Sequence, residues 1–178
     1  IDVTQIYDQT PNRNISSVFS EEEIIQYTET YINQIRYEKL FEQELIIMNE
    51  IAELTDGLTN TMSDYVKKGG SLCVIPIKDA NINEYNNFLS KINSDVMVRG
   101  KNNPTRISKI NQKHSIFNNV FNTKQLRSDI SLPTINYYYT LKNNHSTIKE
   151  NIFTAETGEE FLNYYQMGKG ETYLFTSP

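Results

Sequence analysis

The sequence holds one cysteine in 178 residues, Cys73. A lone thiol excludes an internal disulfide and any metal site built from several cysteines. Histidine is almost as scarce. His114 and His145 stand apart from carboxylates at ligand spacing, so neither a metal nor another cofactor is expected. Basic residues are outnumbered, with 17 Lys and Arg against 22 Asp and Glu. The net charge of -5 and the pI near 5.1 argue against a nucleic-acid partner, which requires a basic face. No run of about 18 apolar residues is present to span a bilayer, and no secretory signal opens the chain. The chain starts at Ile1 without an initiator Met. It is therefore expected to be one domain, residues 1–178, taken from a longer protein whose targeting segments lie elsewhere.

What is present suffices for a core. The apolar fraction is 38%, and 12 Tyr and 8 Phe add large side chains to it. The most readable stretch is 44–78. Residues 45–48 and 72–75 are short continuous apolar runs, the pattern of strands buried on both faces. Between them Leu58, Met62, Tyr65 and Val66 recur at helical spacing. Thr55 or Asp56 can cap the start of that helix. Lys67 and Lys68 suit its negative end, and Gly69-Gly70 can terminate it. Two parallel strands joined by a helix form a right-handed crossover, the unit of an α/β sheet.

The remaining pattern extends the same fold. A first strand is expected over 1–7, with Ile15, Val18 and Phe19 facing inward from a short helix. Glu21-Glu22-Glu23 looks like an acidic helix start, yet Gln26-Tyr27-Thr28-Glu29-Thr30-Tyr31 is β-branched and aromatic, which favours a strand over 24–31. A short helix is expected over 37–41 and an amphipathic one over 82–92. Residues 93–104 read as polar and turn-rich, the least ordered stretch. Residues 106–110 suggest a short edge strand and 115–121 a short helix. Strands are expected over 135–141, 148–154, 160–166 and 171–176, the last two joined as a hairpin by Met167-Gly168-Lys169-Gly170.

Three segments, taken in order, resemble a known superfamily. They are 45–49 followed by Tyr65-Val66-Lys67-Lys68-Gly69-Gly70-Ser71-Leu72-Cys73-Val74-Ile75-Pro76; His114-Ser115-Ile116-Phe117-Asn118-Asn119-Val120-Phe121; and Gly168-Lys169-Gly170-Glu171-Thr172-Tyr173-Leu174-Phe175. The chain resembles the class I glutamine amidotransferase-like superfamily, and within it the domain of membrane-anchored Bacteroidota proteins of the aerotolerance (Bat) type. The resemblance covers most of the chain and is weakest over 15–35. It implies a flavodoxin-like three-layer sandwich with a mainly parallel central sheet and a C-terminal antiparallel hairpin. It also implies an extracytoplasmic, periplasmic location, membrane attachment through segments outside 1–178, and partners among other envelope proteins.

The superfamily's chemistry is harder to find. An active class I amidotransferase carries a cysteine on a glycine-flanked turn between strand and helix, and a later His-Pro-Glu segment. Here Cys73 lies inside an apolar run without flanking glycine, so a buried, un-ionised, inert thiol is expected. His114 is followed by Ser115 and Ile116 instead of Pro and Glu, so it lacks an orienting carboxylate. In the relatives this segment looks like a helix start. His145, in Lys142-Asn143-Asn144-His145-Ser146, reads as a solvent-facing turn residue. Glu21-Glu22-Glu23 lacks the alternation of a calcium loop. Gly168-Lys169-Gly170 lacks the remaining residues of a phosphate loop.

The expectation is thus a protein that is not an enzyme, with no catalytic residue, serving as an interaction domain of a cell-envelope protein. Two alternatives stand beside it. Tyr137, Tyr138 and Tyr139 offer a surface for a protein, a sugar or a peptidoglycan fragment, because tyrosines give large contact area at low entropic cost. On a strand Tyr138 must face opposite to Tyr137 and Tyr139. Tyr27 and Tyr31, or Tyr164 and Tyr165, could extend that surface. Alternatively, His114 pairs with Ser71 or Ser115 in an atypical hydrolase, which requires a hydroxyl within hydrogen-bond reach of the imidazole.

Overall fold

The computed structural model describes residues 1–20, 23–118, 132–144 and 148–178. The chain runs β1 (Asp2–Tyr7), α1 (Arg13–Ser20), β2 (Gln26–Tyr31), α2 (Tyr37–Leu40), β3 (Leu45–Asn49), α3 (Asp56–Lys67), β4 (Ser71–Ile75) and α4 (Ile82–Lys91). It continues with β5 (Val96–Lys101), β6 (Thr105–Ile110), a 3-10 turn at Ser115–Phe117, β7 (Thr134–Ile135), β8 (Tyr138–Lys142), β9 (Ile148–Ala155), β10 (Glu160–Met167) and β11 (Gly170–Phe175). A nine-stranded sheet has the order β2-β1-β3-β4-β11-β10-β9-β6-β7, and β5 and β8 form a separate pair. The strands from β2 to β11 are mutually parallel; those beyond β11 alternate in direction. This is a mixed α/β fold with a parallel centre and a C-terminal antiparallel hairpin.

Local chemistry sets the boundaries. Thr55 caps α3, its hydroxyl accepting from Leu58 N at 3.3 Å. Gly69, at φ 111°, ends the helix in a conformation that glycine adopts freely. Leu58, Met62, Tyr65 and Val66 then pack with Ile46, Met48, Leu72, Val74 and Leu174 in the main core. Tyr85, Phe88 and Leu89 of α4 and Tyr139 of β8 complete that side. A smaller cluster of Ile107, Ile135 and Tyr138 lies under the antiparallel end.

The direction of each crossover decides which face is covered. Stepping outward from β1 to β2 and stepping the other way from β3 to β4 place α1 and α3 on opposite faces, because parallel crossovers are right-handed. Among the described residues no α-helix follows α4, which packs with α3 in the main core. Among the described residues the second face is therefore covered by α1 and the 3-10 turn alone, with Ile15, Val18, Phe19 and Ile116 over it. This corrects the reading of β4 as buried on both faces. Leu72 and Val74 are buried in the core, whereas Ser71, Cys73 and Ile75 on the other side are only half-buried.

Two other expectations change. The polar stretch 93–104 contains β5, which pairs with β8, buries Met97 in the main core and is tied to α4 by an amide. Asn86 of α4 donates from Nδ2 to Met97 O at 2.8 Å and accepts at Oδ1 from Met97 N at 2.7 Å. An amide side chain can satisfy both groups of one residue's backbone, as a neighbouring strand would. Residues 135–141, read as one strand, are two. β7 pairs with β6 and β8 with β5; Ile135 and Tyr138 both reach the small cluster, while Tyr139 of β8 enters the main core.

Candidate functional site

The second face of the sheet carries a groove of about 570 Å³ between α1 and the 3-10 turn. Its floor follows from strand alternation and register. Leu45, Ser71 and Glu171 stand abreast on β3, β4 and β11; Ile47, Cys73 and Tyr173 form the next row. Ile75 and Phe175 continue it towards the carboxyl ends of the strands. One row thus carries a hydroxyl and a carboxylate, and everything beyond it is apolar or aromatic. Ser71 donates from Oγ to Glu171 Oε1 at 3.0 Å. Glu44, at the same end, accepts from Asp2 N at 2.5 Å. The rims are apolar and open: Val18 of α1 is 65% exposed and Ile116 of the 3-10 turn 42%.

Cys73 lies on this floor, facing the groove and not the packed core. The expectation of an un-ionised thiol agrees with its surroundings, since burial among apolar neighbours pushes its pKa up to about 12. The expectation of full sequestration does not, because the residue is half-buried and lines the groove. Tyr173 beside it is also raised, first by burial and then by the Glu171 carboxylate. A protonated thiol and a protonated phenol keep the middle of the groove uncharged.

His114 is 3% exposed and sits behind the groove. Its ring packs edge-on against Tyr164, with centroids 4.8 Å apart, and against Tyr173 at 6.5 Å. Its Nδ1 accepts from Ile116 N at 3.2 Å, capping the 3-10 turn. Among the described residues neither Ser71 nor Ser115 bonds to the imidazole, so the hydroxyl that the hydrolase alternative requires is not in place. His145 and the far end of the expected helix, Val120 and Phe121, lie outside the described residues.

The tyrosine triplet alternates as anticipated, yet both sides are interior. Tyr138 is 2% and Tyr139 1% exposed, and Tyr137 is half-buried edge-on against Tyr139 with centroids at 5.3 Å. Tyr137 donates to Asp79 Oδ1 at 3.2 Å. The triplet anchors the ribbon of β5 and β8 to the loop after β4 and presents no continuous aromatic surface. Of the suggested extensions, Tyr164 lies by His114 and Tyr165 is buried in the main core. Among the described residues no three His, Cys, Asp or Glu side chains come together in a way that could hold a metal ion, and no helix is long and apolar enough to cross a membrane.

The sequence reading missed Glu44, Glu171, Phe175 and the groove itself. Its signal was present in the alternation Ser71-x-Cys73-x-Ile75 beside Glu171-x-Tyr173-x-Phe175, which places one polar row at one end of an apolar strip.

No family model matches the sequence, and no curated protein does. Solved structures do. A ThuA-like protein of Bacteroides uniformis is similar over 99% of this chain and 81% of its own, with TM-score 0.62 and 13% identity. A GMP synthase protein of Thermoplasma acidophilum is similar over 99% and 82%, with TM-score 0.57 and 11% identity. A β-galactosidase of Rahnella sp. R3 reaches TM-score 0.67 at 11% identity over 99% of this chain. The chain spans 28% of that β-galactosidase and 31% of a similar exo-β-1,4-mannosidase from an Opitutaceae bacterium. These likenesses show a mixed α/β fold with a mainly parallel sheet, shared with the ThuA-like and GMP synthase structures.

They also correct the expectation that the chain is not an enzyme. That expectation treated the fold, stripped of its cysteine turn, as a mark of a non-catalytic scaffold. The same fold at higher TM-scores, 0.65 and 0.67, is part of β-galactosidases, so its presence here says nothing against catalysis. At about 11% identity it says nothing for a particular activity either.

Proposed function

We propose that the chain is an interaction domain with the amidotransferase-like fold. In this reading it belongs to an extracytoplasmic part of a membrane-anchored envelope protein of the aerotolerance type, and it docks a protein segment on the open face of its sheet. The observation that carries the reading is the apolar groove between α1 and the 3-10 turn, rimmed by exposed Val18 and Ile116. A concave, mostly apolar groove with a few polar groups at one end is the usual form of a binding site. In a three-layer sandwich a second helical layer stands here, and a docked segment would supply it. The ordered likeness of the three sequence segments supports the envelope assignment, and the partners are then other envelope proteins.

The test is photo-crosslinking in the intact protein in cells, with a photoreactive residue at Val18 and a control at exposed Asn60 on α3. Crosslinks to a protein segment from Val18 and not from Asn60 are expected, in the membrane fraction. Equal yields from the two positions would discard the groove as a docking site, and a wholly soluble crosslinked species would discard the envelope assignment.

A further inference from the structure

Resting on the docking reading, we infer that the groove's occupant is an amphipathic α-helix whose apolar stripe is flanked by basic residues. The floor of the groove is a flat strip of parallel strands, running between α1 on one side and Ile116 on the other. On the opposite face the same strands are covered by α3, which presents Leu58, Met62, Tyr65 and Val66 as a stripe. A helix laid along strands is thus the element this sheet already accommodates, and apolar anchors at i, i+3, i+4 and i+7 match a groove of this shape.

Charge sets the ends. The carboxylates of Glu44 and Glu171 border the groove at the amino ends of the strands. Among the described residues neither has a cationic partner. Glu44 is occupied by the Asp2 amide and Glu171 by the Ser71 hydroxyl. A basic side chain at that edge, Lys68, belongs to an adjoining concavity that shares Glu44 and Ser71 with the groove, and its Nζ lies over the Phe41 ring at 4.3 Å. Two carboxylates without counter-ions beside an apolar strip select a helix bearing Lys or Arg next to its stripe and reject an acidic one. Such complementarity gives specificity and register more than raw affinity.

The experiment uses the 178-residue chain and two synthetic 16-residue helices. Both carry a leucine stripe, flanked at both ends by Lys in one and by Glu in the other. The Lys peptide is expected to bind about tenfold more tightly, and the difference is expected to shrink to about twofold in the Glu44→Gln/Glu171→Gln double variant. Each glutamine keeps an acceptor for its present hydrogen bond, so the variant should fold. Val18→Asn, at an exposed rim, should weaken both peptides by removing apolar contact without adding charge. Equal binding of the two peptides, discrimination that survives the double variant, or no binding of either peptide overturns the inference. So does self-association of the chain that Val18→Asn abolishes, which would make the occupant a second copy. If Val18 crosslinks a protein segment in cells while the peptides are not discriminated, the docking reading stands and the helix chemistry falls.

Discussion

Tyr85 and Tyr139 hold the backbone of Ile77 from opposite ends. Tyr85 Oη accepts from Ile77 N at 3.3 Å, and Tyr139 Oη donates to Ile77 O at 2.8 Å. Each phenol has a second bond. Tyr85 donates to Ile51 O at 2.6 Å and Tyr139 accepts from Ala80 N at 2.7 Å. The loops after β3 and β4 are thereby fastened to α4 and to β8 at the carboxyl edge of the sheet.

Replacing either phenol by phenylalanine leaves buried backbone groups unpaired. Tyr85→Phe and Tyr139→Phe should each cost about 1–3 kcal/mol in urea unfolding. The double variant should deviate from the sum of the two, because both act on Ile77. Additivity to within experimental error would show that the two loops are held independently.

Lys149 is clasped between Asp95 and Glu160, with Nζ 2.5 Å from a carboxylate oxygen of each. Asp95 is fully buried, and its other oxygen accepts from Asn144 N at 2.8 Å. Asp95→Ala should cost about 1–3 kcal/mol, since it removes the acceptor of the Asn144 amide and one of the two carboxylates on Lys149. Glu160→Gln, at the more open side, should cost less. Thermal unfolding of the two variants orders them, and a larger loss for Glu160→Gln would contradict the assignment.

The Cys73 thiol is raised from 9.0 to about 12 by burial. A raised acid binds its proton more tightly in the folded state. Its stabilising contribution is therefore complete below about pH 9 and is lost as pH rises towards 12. Tyr27, raised from 10.0 to about 12 by burial and by Glu29, adds a slope in the same window. Stability should fall with pH between about 9 and 12, and less steeply in Cys73→Val. At pH 8 the thiolate fraction is on the order of a thousandfold below that of an ordinary cysteine, so a small disulfide reagent should label native protein correspondingly slowly. Labelling at the unfolded rate would refute the placement of this thiol.

Gly170 is required by close approach and not by its turn. A Cβ there would meet Val66 O at 1.9 Å and Gly70 O at 2.7 Å. Gly170→Ala should cost about 3 kcal/mol by forcing α3 from the sheet. Gly158 has φ 84° with nothing within 4 Å, so Gly158→Ala should cost only the backbone strain of about 1–2 kcal/mol. Calorimetric midpoints of the two variants provide the comparison.

Periodicity exposed the βαβ unit of β3, α3 and β4 because each side chain there serves one purpose. Leu58, Met62 and Val66 face the core, Thr55 caps and Gly69 stops. β5 escaped notice because its partners are distant in sequence: β8 pairs with it, and Asn86 bonds Met97 from eleven residues before it. The break between Ile135 and Tyr138 escaped because both halves have strand-like composition and only the tertiary partners differ. The groove was partly readable. Alternation at Ser71, Cys73 and Ile75 was visible, but a run of apolar residues does not reveal that, among the described residues, α1 and the 3-10 turn alone stand over its second side. His114 and the tyrosine triplet drew attention as scarce or conspicuous side chains, and packing turned both into internal fixtures.

The position of β11 has a bearing on synthesis. This strand lies between β4 and β10, and Ser71 is 100 residues away along the chain from Glu171, its partner across the seam. Until those last residues leave the ribosome, the parallel half and the antiparallel half are two half-sheets with unpaired inner edges. The growing polypeptide must keep both from sticking to other chains, and premature release before residue 170 would yield two flaps without a keystone.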